Sequence, residues 1–324
     1  ALAAKSGGGK VIVQVERTAA RGSLRPKDIV IPGELVDAVV GTEQPAEYHR
    51  STAGTAYSPY MSGEVSCPLS TAARPKDILA ADDIICRRAL FELFPGAVVN
   101  VGVGIGSGIG PAAAVEHIMD KVTFTLELGV FGGIPQQAKD FGVAVNPVAF
   151  LSHTSMFDFY HGGGLDMTFL GAAQVDRDGN VNVSKFGGRA AGQGGFIDIS
   201  QTAKKVVFCT YFKAKGFDAS VSDGRLAITR EGAISKFVDR VDQITFNGAL
   251  ARESGKEVCF LTERCVFRLE REGLTLTEIA PGVDLERDIL SQMEFRPIVS
   301  KDLRVMDSRI FTPGRMGCFD GVFD

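Results

Sequence analysis

An apolar run at residues 122–133 reads Val-Thr-Phe-Thr-Leu-Glu-Leu-Gly-Val-Phe-Gly-Gly. Its β-branched and aromatic side chains predict a buried strand. The run also contains a carboxylate, Glu127, two residues before Gly129. An ionised glutamate in an apolar setting must be hydrogen-bonded, paired or protonated, so we expect its pKa and its nucleophilicity to rise. Glu127 is therefore a candidate catalytic residue.

Glycines follow this carboxylate closely. Gly129, Gly132 and Gly133 carry no side chains, which would let a ligand approach the backbone. We expect Gly129 and Gly132 to line a substrate pocket. On this segment alone, the alternative is a glutamate at the end of a strand that points to solvent.

The surrounding sequence alternates between strand and helix patterns. Apolar residues 97–101 predict a strand, and an alanine-rich helix is expected from Pro111 to Met119. This alternation predicts an α/β fold with an open, mostly parallel sheet and helices on both faces. Ligands bind such sheets beyond the carboxyl ends of the strands, where the sequence places Glu127.

A glycine-rich loop joins that strand to that helix. Residues 102–110 read Gly-Val-Gly-Ile-Gly-Ser-Gly-Ile-Gly, and exposed glycine amides before a helix indicate an anion site. The dinucleotide fingerprint Gly-x-Gly-x-x-Gly fails in all three registers, because its last position is Ser107, Ile109 or Pro111. A nicotinamide cofactor is therefore disfavoured. The alternative is that these glycines only tighten a turn.

Other polar clusters have simpler explanations. His153, Asp158 and His161 fall in residues 152–164, which we expect to form a loop and not a metal site. Residues 176–180, Asp-Arg-Asp-Gly-Asn, resemble part of a calcium loop but lack its final glutamate, so a β-hairpin turn is predicted. Residues 192–195, Gly-Gln-Gly-Gly, offer further free amides.

Composition excludes several classes of protein. The 324-residue chain has a net charge of -4 with no basic block, so nucleic acid is not an expected partner. Neither a secretory signal nor an apolar run long enough to span a bilayer is evident, which predicts a cytoplasmic protein without a membrane partner. The six scattered cysteines predict reduced thiols and no zinc site.

Three parts are expected along the chain. Residues 1–40 contain a predicted strand at 11–16, residues 41–75 form a connector without sustained periodicity, and residues 76–324 form the main domain. Within the main domain, helices are predicted over residues 77–94, 135–141 and 283–293, and residues 294–324 are expected to be a trailing surface segment.

Several separated motifs together resemble the family I coenzyme A transferases, in the fused branch that includes acetate and propionate CoA-transferases. The motifs are Asn-Val-Gly-Val-Gly at 100–104, Glu-Leu-Gly at 127–129, Gly-Gly-Leu-Asp at 163–166, Asp-Gly-Asn at 178–180, Gly-Gln-Gly-Gly at 192–195 and Thr-Glu-Arg-Cys at 262–265. Residues 10–40 resemble the closing strands of the family's first half. The resemblance thus implies that most of this amino-terminal half is absent from the chain.

The resemblance implies a fold like that of CoA-transferases and sugar-phosphate isomerases, and a role for individual residues. Glu127 matches the catalytic glutamate. Val103, Gly104, Gly194 and Gly195 match the oxyanion hole and CoA-binding positions, and Asn100 is assigned to the substrate pocket with the glycines named above. Phe124, Leu126, Leu128 and Phe131 would exclude water from the reaction.

The implied activity is transfer of coenzyme A between short-chain carboxylic acids by a ping-pong mechanism, in a homo-oligomer. Acyl-CoA and short-chain carboxylates are the expected substrates, with no cofactor. Two alternatives remain at this stage. One is an acyl-CoA hydrolase that uses the same Glu127, and the other is a non-catalytic association module.

Overall fold

A computed structural model describes residues 1–49 and 54–323. The chain divides into two compact units, Ala1–Ser58 and Pro59–Asp324. This division falls within the predicted connector, whose residues 50–53 lie outside the described residues, as does residue 324 of the predicted main domain. The connector's remaining part, from residue 59 onward, belongs to the larger unit.

The smaller unit has few elements. They are α1 (Leu2–Ser6), β1 (Ile12–Gln14), β2 (Ala38–Val40) and α2 (Pro45–Tyr48). β1 pairs with β2 in parallel, with Ile12 opposite Ala38. The carboxylate of Asp37 accepts a hydrogen bond from the Val11 amide at 2.9 Å, which fixes the start of β1. The predicted strand at residues 11–16 is therefore confirmed in its central part.

The larger unit carries the remaining elements. Its helices are α3 (Leu69–Ala72), α4 (Ala81–Ala89), α5 (Ile109–Val115), α6 (His153–His161), α7 (Phe196–Thr202), α8 (Gly248–Glu253) and α9 (Leu285–Asp288). Its strands are β3 (Val98–Val101), β4 (Thr123–Leu126), β5 (Val130–Phe131), β6 (Ile134–Pro135), β7 (Ala144–Val145), β8 (Ala149–Phe150), β9 (Met167–Leu170), β10 (Gln174–Val175), β11 (Val181–Asn182), β12 (Lys185–Phe186), β13 (Arg189–Ala190), β14 (Lys205–Cys209), β15 (Lys213–Ala214), β16 (Asp218–Ser222), β17 (Arg225–Arg230), β18 (Ile234–Ser235), β19 (Glu257–Leu261), β20 (Cys265–Glu270), β21 (Gly273–Ile279) and β22 (Ile298–Val305).

A ten-stranded mixed sheet organises this unit, in the order β22-β21-β20-β19-β14-β9-β3-β4-β5-β8. Its centre, from β19 to β4, is parallel throughout. Antiparallel pairs flank the centre on both sides. The predicted α/β class is confirmed, and the carboxyl ends of the central strands share one edge of the sheet.

Strand order reverses in the middle of the sheet. The chain runs from β3 outward to β4, then returns to the other side of β3 for β9, β14 and β19. Right-handed crossovers then place α5 on one face and α6 and α7 on the opposite face. The packing agrees, because α4 contacts α5 while α6 contacts α7. In such sheets the crevice at the reversal, beyond the carboxyl ends, is where ligands bind.

The apolar run at residues 122–133 forms a hairpin and not one strand. β4 ends at Leu126, and the amide of Gly129 donates to the Leu126 carbonyl at 2.9 Å to close a turn before β5. Gly129 has φ +109, which other residues rarely adopt, so the glycine stops the strand. Glu127 consequently lies in the turn.

Several predicted helices differ from those observed. Residues 152–164, expected as a loop, contain α6, whose first turn is capped by the Ser152 hydroxyl accepting from the Ser155 amide at 3.1 Å. The helix expected over 135–141 is wrong, because Pro135 pairs within β6 and only a 3₁₀ turn follows at Ala138–Asp140. The helices expected over 77–94 and 283–293 are shorter, at α4 and α9 with adjoining 3₁₀ turns.

The segment at residues 294–324 is not a surface appendage. Its strand β22 pairs in parallel with β21 at the edge of the main sheet. Farther on, the Arg87 guanidinium of α4 donates to the carbonyls of Arg309, Thr312 and Gly314 at 2.7–2.8 Å. These bonds join residues far apart in sequence, which local patterns do not reveal.

The hydrophobic core lies between the sheet and its helices, and phenylalanine rings fill much of it. Phe208 of β14 contacts Phe260 of β19 with ring centroids 5.2 Å apart, and both rings are fully buried. Along the described part of the chain, no helix has both the length and the apolar character needed to cross a membrane.

Candidate active site

Glu127 and the second glycine loop meet at the carboxyl edge of the sheet. The carboxylate of Glu127 is half-buried, and its Oε2 lies against Gly195, the residue that immediately precedes α7. A Cβ built on Gly195 would overlap Oε2 and lie 3.3 Å from Cδ. A larger residue at position 195 would therefore displace the carboxylate, and the fold brings together two residues that lie far apart in the sequence.

The environment of the Glu127 carboxylate suits a reactive group. Burial raises its pKa, and the nearby His153 side chain acts in the opposite direction by charge. Within residues 1–49 and 54–323, no group donates a hydrogen bond to the carboxylate. A carboxylate that has lost water without gaining donors is more basic and more nucleophilic than one in solution.

Unused backbone amides lie in the glycine loops near this carboxylate. Gly194 and Gly195 precede the first turn of α7, and in the described residues their amides donate no hydrogen bond. The amides of Val103 and Gly104 are likewise unused in that part of the chain. Free amides of this kind can stabilise a negative oxygen without rearrangement of side chains.

The sheet register relates the first glycine loop to Glu127. β3 and β4 are neighbouring parallel strands, with Asn100 opposite Thr125. Two residues farther along, Gly102 and Glu127 leave adjacent strands, which lie about 4.8 Å apart in a sheet. Val103, which follows Gly102, is 69% exposed.

The glycines after Glu127 have a different role from the one expected. A Cβ on Gly129 would overlap the carbonyl of Leu151, and one on Gly132 would overlap the side chain of Val148. Both glycines also have positive φ values, +109 and +69. They permit the hairpin turn and close packing of residues 148–151, and the chain itself fills the space predicted for a substrate.

Asn100 is also buried and does not line an open pocket. Its side chain is 1% exposed, and it donates to the Tyr160 hydroxyl at 3.1 Å and accepts from Thr168 at 2.9 Å. The same hydroxyl lies 2.9 Å from Thr125 Oγ1, two residues before Glu127. Burial raises the pKa of Tyr160 to about 12. This network ties β3, β4, β9 and α6 together beneath the turn.

Apolar cover over Glu127 is partial. Phe124 and Leu126 are buried in the core and Phe131 is half-buried, but Leu128 is 50% exposed. The Leu128 side chain also lies against Gly142. The exclusion of water by these four residues stays a prediction.

Helix α6 supplies two residues near Glu127 that the sequence did not connect with it. The ring of Phe157 would lie 2.8 Å from a Cβ on Gly195, and His153 contacts this ring at a centroid distance of 5.1 Å. Two features of the sequence indicate this helix. Ser152 is a residue type that caps helices, and Met156 and Tyr160, which are buried in the structure, are four positions apart.

The remaining polar clusters do not join the site as ligands. His161 binds Asp198 of α7 at 2.9 Å, and residues 176–180 form the predicted turn between β10 and β11. Among the described residues, no group of three or more histidine, cysteine, aspartate or glutamate side chains is arranged to hold a metal ion.

Known proteins resemble this chain over nearly its whole length. It is 46% identical over 318 residues to a caffeate CoA-transferase of Acetobacterium woodii, covering 96% of the chain and 60% of the relative. It is 45% identical over 317 residues to acetate CoA-transferase YdiF of Escherichia coli K12, covering 98% of the chain and 59% of the relative. No protein-family model matches the sequence.

Solved structures also resemble this chain. An acyl-CoA transferase (YdiF) of Escherichia coli O157:H7, solved as a thioester complex with CoA, superposes with a TM-score of 0.84 at 43% identity, covering 97% of this chain and 57% of the other. The chain belongs to the family I coenzyme A transferases. More particularly, it corresponds to the carboxyl-terminal part of proteins such as YdiF and spans about 60% of the length of the relatives it matches.

Proposed function

We propose that this chain carries the catalytic glutamate of an acyl-CoA:carboxylate CoA-transferase. The observation that carries the proposal is the carboxylate of Glu127, raised in pKa by burial and lying against Gly195, where unused glycine amides are available. Sequence relatives named as CoA-transferases support the same reaction class.

A carboxylate suits this chemistry because its acyl derivatives are close in energy to those of the substrates, so the transfer divides into matched steps. Glu127 attacks the thioester carbonyl and the carbon–sulfur bond breaks. CoA leaves as a thiolate, and an acyl-glutamyl anhydride remains on the protein. The thiolate then attacks the Glu127 carbonyl of the anhydride. The first acid leaves as a carboxylate, and a glutamyl-CoA thioester remains.

The second half of the reaction reverses these steps with a different acid. The acceptor carboxylate attacks the glutamyl-CoA thioester and releases the thiolate, which attacks the acceptor's acyl carbon and restores the Glu127 carboxylate. Each attack creates an oxyanion, and one well-placed donor contributes on the order of 3 kcal/mol to its stabilisation. We assign this role to the amides of Val103, Gly104, Gly194 and Gly195.

Substrate and assembly follow from the same proposal. We assign short-chain acids such as acetate and propionate as substrates, with no separate cofactor. Because the chain spans about 60% of the length of these relatives, we propose that residues 1–40 close an amino-terminal half of the family fold. We also propose a homo-oligomer, which light scattering coupled to size exclusion would measure.

Trapping the intermediate tests the proposal. The protein as its gene encodes it is incubated with acetyl-CoA without an acceptor, quenched with acid, digested at low pH and analysed by mass spectrometry. We expect CoA on the peptide that contains Glu127. An adduct on another peptide, or none under conditions that support exchange, would refute the assignment.

A matched assay separates transfer from hydrolysis, which would use the same glutamate. Labelled acetate is added to unlabelled acyl-CoA, and both labelled acyl-CoA and free thiol are followed. Transfer predicts label exchange that depends on the acid, with little net thiol. Thiol release that is independent of added acid would favour a hydrolase.

A further inference from the structure

The acyl group must lie beside Glu127 during the proposed reaction. In the acyl-glutamyl anhydride, the acyl carbon is bonded to an oxygen of Glu127 and is therefore two bonds from Cδ. The Oε2 atom lies against Gly195, and a Cβ built on this glycine would be 3.3 Å from Cδ. The first atoms of the acyl chain consequently lie near Gly195, whichever oxygen of Glu127 carries them.

The ring of Phe157 borders the same place. Its Cζ atom lies 2.8 Å from the position of a Cβ on Gly195, and Glu127 Oε2 overlaps that position. The tip of the ring and the carboxylate are therefore neighbours. Phe157 is half-buried, so part of the ring is accessible from the site. An apolar surface thus lies where an acyl chain bonded to Glu127 would extend.

Phe157 is also held in place by its neighbours. Its ring makes edge-to-face contacts with His153 and Tyr160, at centroid distances of 5.1 and 5.7 Å. Tyr160 is fully buried, and its hydroxyl accepts from Asn100 at 3.1 Å and lies 2.9 Å from Thr125 Oγ1. Moving the Phe157 ring aside would disturb this buried network, so the ring forms a fixed wall.

We propose that Phe157 limits the length of the acyl chain that Glu127 can carry, and is a specificity-determining residue that favours short acids. This inference rests on the proposed transferase function and adds to it the group that excludes longer acids. The discrimination is steric. An acetyl group fits beside Gly195, and the further methylenes of a longer chain meet the ring.

The experiment compares acceptor acids of different length in the unmodified protein and in Phe157→Ala. Acetyl-CoA is the donor, and labelled acetate, butyrate and hexanoate are the acceptors. We expect the ratio of kcat/KM for hexanoate to that for acetate to rise at least about tenfold in the variant, the effect of room for one methylene. A general loss of activity cancels from this ratio, because both acids are compared on the same protein.

Two further variants change the size of the same side chain. Phe157→Leu keeps an apolar group against Tyr160 and should raise the ratio by a smaller factor, and it carries the test if urea unfolding shows that Phe157→Ala does not fold. Phe157→Trp enlarges the wall, so kcat/KM for butyrate should fall relative to that for acetate.

Phe159→Ala is the matched control. It removes the same ring from the same helix, two positions farther along and about 200° around the helix axis. The Phe159 ring packs on Phe131 at a centroid distance of 5.2 Å. This variant should leave the ratio of hexanoate to acetate unchanged.

The outcomes separate this inference from the function on which it rests. If the unmodified protein uses hexanoate as well as acetate, or if Phe157→Ala changes kcat/KM for all acids by one factor, the inference is overturned and the transferase stands. An equal rise of the ratio in Phe159→Ala would also overturn it. If the unmodified protein shows no acid-dependent exchange, both proposals fail, and this is evident before any variant is made.

Discussion

Two glutamates follow parallel strands at the same edge of the sheet, yet their surroundings are opposite. Glu263, after β19, is fully buried and accepts from the Phe212 amide at 2.9 Å and from Arg264 Nε at 2.6 Å. Glu127, after β4, is half-buried and accepts no hydrogen bond from the described residues. The two glutamates share a position in the fold, but they do not share hydrogen-bond partners.

The difference shows what separates a structural carboxylate from a reactive one. The guanidinium of Arg264 pairs with Glu231 as well and stacks over Phe212 at 4.7 Å, so Glu263 is fixed within a satisfied network. Both oxygens of such a group already accept hydrogen bonds within the protein. Glu127 loses water but gains no donor among the described residues, and its carboxylate lies against Gly195. Both motifs contribute to the family resemblance, but only Glu127 is available to a substrate.

Replacing the unpartnered carboxylate should have the largest effect. Glu127→Gln removes the nucleophile, so we expect the CoA exchange rate to fall by more than about a thousandfold. Stability should not fall, because no hydrogen bond is lost and the raised pKa shows that the ionised carboxylate is costly in the folded state. Exchange assays with urea unfolding check both. More than a trace of transferase turnover would contradict the role of Glu127.

Replacing the partnered carboxylate should reverse this pattern. Glu263→Gln removes one of the two charge partners of the buried Arg264 and leaves Glu231 as the other, so we expect a loss of roughly 2 kcal/mol in the free energy of unfolding. Glu257→Gln is the control on the same strand, since this side chain is 71% exposed and 3.7 Å from Lys205. It should change stability by less than about 0.5 kcal/mol. Equal losses in the two variants would show that the network does not stabilise the fold.

A smaller change at Gly195 sharpens the comparison. Gly195→Ala places a methyl group against the Glu127 carboxylate and should reduce kcat by about a hundredfold, the effect of disturbing an oxyanion donor and its nucleophile. Gly171→Ala is a matched control, because nothing lies within 4 Å of its added Cβ. Similar rates for the two variants would argue that Glu127 does not react from its observed position.

Much of the site could be predicted because its signals are local. A carboxylate within an apolar run and glycines before a helix are visible in short stretches of sequence, and α/β alternation puts both at one edge. The hairpin at residues 127–129 was harder to predict. Leu128 continues the apolar run beyond Glu127, so the sequence does not show that the strand stops there, and the positive φ of Gly129 is visible only in the structure.

Other features depend on contacts between distant residues. Asn100 is polar and lies beside a glycine loop, which suggested contact with substrate. Its partners Tyr160 and Thr168 are 60 or more positions away and make it a buried support. Helix α6 was missed because its glycine-rich end and its histidines suggested a loop, and His153 was therefore not connected with Glu127.

The hydrogen bonds from Arg87 to the carbonyls of Arg309, Thr312 and Gly314 limit how far the chain can be shortened from its carboxyl end. Glu116, at the end of α5, holds the amides of Met316 and Gly317 at 2.7 and 2.9 Å in the same way. Deleting this stretch would leave a guanidinium and a carboxylate buried without partners against the helices. Shortened forms should therefore keep residues up to 317, and a protease that cuts before residue 309 should destabilise the larger unit although it leaves Glu127 in place.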